Sequence, residues 1–74
     1  METEAYKKGV IWGVDAGKGD RNRGTDWFNP YSPDPITGVG TMEQYMAEKA
    51  GYTSGTTEFG DFIKGYEDGY YSSR

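Results

Sequence analysis

The chain contains no cysteine, no histidine and no leucine, and each absence closes a route. Without cysteine there is neither a disulfide nor a thiolate metal site. Without histidine the commonest general base and zinc ligand is missing, and with it the ordinary serine triad. Without leucine, and with isoleucine, valine and phenylalanine together supplying only 9 of 74 residues, an aliphatic core is out of reach and the composition falls where disordered chains lie. The longest unbroken aliphatic or aromatic run is Val10-Ile11-Trp12, far short of the roughly 20 residues that cross a bilayer. No basic start followed by an apolar stretch suggests a signal peptide, so a cytoplasmic protein without a membrane segment is expected.

What is present argues for folding. Twelve aromatic residues, seven of them tyrosine, can each bury about 150–250 Å², and the net charge is a modest −4. A chain of 74 residues allows one domain, here 1–74, whose core supplies about 3–5 kcal/mol unaided. The expectation is an aromatic core, with ordering by a partner or by self-association left open.

Two segments have helical character. From Thr3 to about Lys18, Thr3 suits an N-cap, Glu4 the positive helix end, and Ala5, Gly9, Gly13 and Gly17 recur every four residues. Each interior glycine costs a helix about 1 kcal/mol relative to alanine, so the stripe makes sense if another backbone packs on it. A loose glycine-rich segment is the alternative. From Thr57 to about Tyr71, Phe59, Phe62, Ile63, Tyr66 and Tyr70 fall at offsets 0, 3, 4, 7 and 11, with Gly65 and Gly69 beside them. Short aromatic strands are the alternative there. The fold expected is all-α: an antiparallel pair of Gly/aromatic helices, the aromatics of one covering the glycines of the other. The same stripes could pair two chains as a homodimer.

The connection between them, 19–56, holds Asn29-Pro30-Tyr31-Ser32-Pro33-Asp34-Pro35, which must turn or extend. Within it Thr41-Met42-Glu43-Gln44 matches a capping box, and a short third helix through Lys49-Ala50 is expected to stop at Gly51.

The motifs that could carry chemistry are poor ones. Gly13-Val14-Asp15-Ala16-Gly17-Lys18-Gly19 resembles a phosphate loop but has three residues between its glycines where four are needed, and no Ser or Thr after the lysine. Gly17 and Gly19 read better as helix caps beside Lys18. Asp15, Asp20, Asn22 and Asp26 offer oxygen ligands, but Arg21 and Arg23 intervene and the bidentate glutamate of a calcium loop is absent, so a solvated loop is expected. The carboxylates Asp61, Glu67 and Asp68 have no evident enclosure to shift a pKa. No catalytic residue, cofactor or metal is expected, and the chain reads as a binding module.

Charge points to the kind of partner. Residues 1–24 carry five basic and four acidic side chains, residues 25–74 three and eight. A basic face of Lys7, Lys8, Lys18, Arg21 and Arg23, interrupted by Asp20, is small for nucleic acid. An acidic, aromatic last helix suits a protein partner instead, and Glu58, Asp61, Glu67, Asp68, Tyr70 and Tyr71 are the expected contact residues. Charge kept only for solubility is the alternative.

Gly9, Gly13 and Gly17, then Asn29-Pro30-Tyr31, then Phe62 and Gly65-Tyr66 followed by Gly69 give an outline that resembles the ribosome modulation factor family and related-looking small proteins of bacteria and phages. The resemblance covers about half the chain. It implies a two-helix fold and, from the founding member, ribosome binding. The chain departs in being acidic where an RNA binder is basic, and in carrying an insertion at 32–57. Among small phage-type proteins of this look, the implied role is to bind and block a host protein, such as a defence nuclease, in the host cytoplasm.

Overall fold

A computed structural model describes residues 2–73. Thr3 stands in extended backbone and its hydroxyl accepts the Tyr6 amide at 3.1 Å, starting α1 (Glu4–Arg23). The helix continues past Lys18, its expected end. Gly17 and Gly19 lie inside it, and Gly24, with φ 69°, is the left-handed cap that follows Arg21 and Arg23 in the last turn. α2 (Met42–Lys49) opens on the reciprocal Thr41–Gln44 capping box, and Gly51, with φ 100°, follows its Ala50 cap, as expected. α3 (Thr57–Ser73) buries Phe59, Phe62, Tyr66 and Tyr70, and Ile63 packs half-buried against them. The fold is all-helical. Neither the loose first segment nor the aromatic strands form.

The pairing of α1 with α3 corrects the expectation in one respect: the helices run parallel, not antiparallel. Contacts climb both helices together. Thr3 donates to Asp61, Tyr6 to Asp68, and Ser73 to the Val14 carbonyl; Gly9 faces the Phe62 backbone, Gly13 that of Tyr66 and Gly17 that of Tyr70. The connection is what permits this, since residues 24–56 are ample to retrace an α1 roughly 30 Å long. A glycine repeat of four reads the same in either direction, so the stripe carries no sign of polarity.

The seam is reciprocal. A Cβ on Gly9, Gly13 or Gly17 would collide with α3, and one on Gly65 or Gly69 would collide with the Tyr6 or Val10 carbonyl. Each glycine therefore turns an α-hydrogen toward a neighbouring backbone, the arrangement of weak Cα–H···O contacts. The aromatics of α3 stack up one side. Phe62–Tyr66 and Tyr66–Tyr70 rings lie 6.4 Å apart, and Trp12 meets Phe62 edge-on at 5.4 Å. Ala47 and Met42 of α2 close over them. The Cα frame measures 33 × 30 × 14 Å, about two packed helices thick, so nearly every element borders the surface.

Candidate functional site

A core made of tyrosine must satisfy hydroxyl groups, and doing so builds a site at the C-terminal ends of α1 and α3. The Tyr66 hydroxyl donates to the Phe28 carbonyl at 2.7 Å, and burial, ahead of the nearby Asp20 charge, raises its pKa. The Tyr70 hydroxyl donates at 2.7 Å to Asp20, a fully buried carboxylate. Asp20 also accepts from the Phe28 amide at 2.9 Å, the Thr25 hydroxyl at 2.8 Å and Arg23 at 3.0 Å. Burial alone pushes its pKa up, but these four bonds, Tyr70 foremost, hold it below the ordinary carboxylate value. Asp20 is thus the rivet between α1, α3 and the connection. It is no solvated loop residue, and its oxygens are spent on protein donors.

The rivet fixes the residues that follow. The Arg23 guanidinium lies 5.3 Å from the Trp27 ring and 5.5 Å from that of Phe28. Asn29 Oδ1 accepts the Tyr31 amide at 2.9 Å and the Tyr71 hydroxyl at 3.3 Å. Trp27, Tyr31 and Tyr71 nevertheless stay 63%, 62% and 49% exposed. Tyr31 and Tyr71 are both hydrogen-bonded to Asn29 and Trp27 lies beside Arg23, and we call this set of exposed rings the shelf.

Acidic groups edge the shelf. The Tyr31 hydroxyl is hydrogen-bonded to Glu67, which raises its pKa. Glu67 in turn meets Glu43 of α2. Glu43 Oε1 is shut off from water, and no donor among the described residues reaches it. Burial first, then the bond to Glu67 and its charge, pushes Glu43 up to about 8.

The six expected contact residues separate. Glu67 and Tyr71 belong to the shelf. Asp61 and Asp68 lie on the other side of α3, accepting from Thr3 at 2.9 Å and Tyr6 at 2.6 Å. Glu58 is exposed in the first turn of α3. Tyr70 is a correction: it is fully buried on Asp20 and has no surface to present. The sequence reading missed Trp27 and Tyr31 as surface features, and placed Arg23 in a basic face without its bond to Asp20. The signal available was the Asn29-Pro30-Tyr31 turn, which brings an aromatic back toward α3.

The span 13–19, weighed as a phosphate loop, is helical. No helix among the described residues is long and apolar enough to cross a membrane. Compared with protein-family models, curated proteins and solved structures, the chain matches none.

Proposed function

We propose that the chain is a non-enzymatic protein-binding module, a stoichiometric modulator or inhibitor of a partner protein. The observation that carries this reading is the shelf of Trp27, Tyr31 and Tyr71, strongly exposed yet held by Arg23 and Asn29. Trp, Tyr and Arg are the residue types that dominate binding hot spots, and rings already fixed in place lose little entropy on docking. Glu67 beside them, in a chain of net charge −4, favours a partner with a basic surface. Such a partner fits the phage-type role, in which a small acidic protein occupies a host protein, for instance a defence nuclease, in the cytoplasm. The ribosome-associated reading is weakened because Arg23 is engaged by the Asp20 carboxylate, which leaves a thinner basic face.

The test is affinity capture from host lysate at low and moderate salt, run with the native chain and with Trp27→Ser/Tyr31→Ser. The reading expects one protein at stoichiometric yield, lost with the double variant. Ribosomal subunits retained equally by both would contradict it.

A further inference from the structure

A groove of about 320 Å³ runs along the face of α1 that looks toward α2 and the connection. Trp12, Asp15, Ala16 and Arg23 form one wall, and Phe28 and Met46 the other. Its floor is apolar and aromatic, and Trp12 is braced edge-on by Phe62 at 5.4 Å. Its two charges are not equivalent. Arg23 is bound to the buried Asp20 at 3.0 Å. Asp15 is exposed and enters no hydrogen bond or ion pair among the described residues, Lys18 one turn on included. The groove therefore presents one uncompensated carboxylate beside aromatic rings.

We propose that this groove receives an arginine side chain of the partner protein, Asp15 taking the guanidinium while Trp12, Phe28 and Met46 cover the stem. A planar, weakly hydrated guanidinium forks onto a carboxylate and stacks on rings, and its aliphatic stem suits apolar walls. This assignment rests on the protein-binding reading and names the chemistry that the partner brings next to the shelf.

The probe is acetyl-arginine amide, titrated into the full chain and followed by NMR at the Trp12 indole and Met46 methyl signals, with uncharged acetyl-citrulline amide as control. Arginine is expected to shift both signals and citrulline to leave them nearly still. Asp15→Asn, an exposed change that leaves the fold intact, should weaken arginine binding about tenfold, the scale of one charge-assisted hydrogen bond. Equal shifts with citrulline, or undiminished binding by Asp15→Asn, would overturn the assignment. So would concentration-dependent shifts of these signals in the free protein, which would give the groove to a second copy of the chain. Because the probe needs no partner, the two readings fail separately. A partner captured regardless of Asp15→Asn keeps the module and removes the groove; arginine binding without any captured protein does the reverse.

Discussion

Along the α1–α3 seam, Gly9, Gly13, Gly65 and Gly69 bring two backbones together with no side chain between them, and Gly17 admits only the Ser73 hydroxyl, whereas segment 24–41 holds large rings at the surface on a few polar anchors. The seam is specified by what is missing and tolerates no added atom. The connection is specified by Asp20 and Asn29, and tolerates changes that leave those anchors alone. On the proposed function, stability and binding then fall in different parts of a small molecule.

The largest effect that separates the two regions is expected at the seam. Gly13→Ala should cost about 3 kcal/mol despite alanine's better helix propensity, because its methyl meets the Tyr66 carbonyl, and backbone gives way less readily than side chains. Gly13→Leu and Gly65→Leu should prevent native folding. The control is Gly60→Ala on α3, where nothing lies within 4 Å of the added carbon and a gain of about 0.5 kcal/mol is expected. Urea unfolding of the variants checks the opposite signs.

Next comes the rivet. Asp20→Asn replaces an acceptor by an amide donor facing Tyr70, Phe28, Thr25 and Arg23, and should cost about 2 kcal/mol. A separate effect is expected with pH. The folded-state pKa of Glu43 is raised, so the folded chain binds the extra proton and stability declines as pH rises from the ordinary carboxylate range through about 8. Asp20 acts in the opposite sense: its lowered pKa contributes stability above the ordinary carboxylate value, lost as pH falls through the folded value. Glu43→Gln, a neutral mimic that can donate to Glu67, should flatten the decline toward pH 8 in thermal melts. The smallest change in stability, within about 0.5 kcal/mol, is expected for Tyr31→Ser at the surface, and its effect should appear in partner capture instead.

Much of this was legible in the residues. The capping box placed α2, and the spacing of Phe59, Phe62, Tyr66 and Tyr70 defined the buried face of α3. That spacing already set Tyr70 inside and argued against it as a contact residue. Helix polarity was not legible, because the glycine stripes are symmetric under reversal. The end of α1 was obscured because Gly17, needed for close packing, looks the same as a glycine that caps. Asp20, Arg23 and the Glu43–Glu67 pair depend on long-range partners that no local pattern displays.

Parallel pairing is what brings Asp20 to Tyr70 and so creates the shelf, and it can be measured directly. Since the chain has no cysteine, spin labels can be attached at Glu4→Cys with Glu58→Cys, and at Glu4→Cys with Ser72→Cys, and the two distances compared by electron–electron resonance. The parallel fold predicts that the 4–58 distance is shorter by about 10–20 Å, the rise of the intervening α3 turns. A shorter 4–72 distance would mean antiparallel helices, and with them neither the Asp20 rivet nor the aromatic shelf.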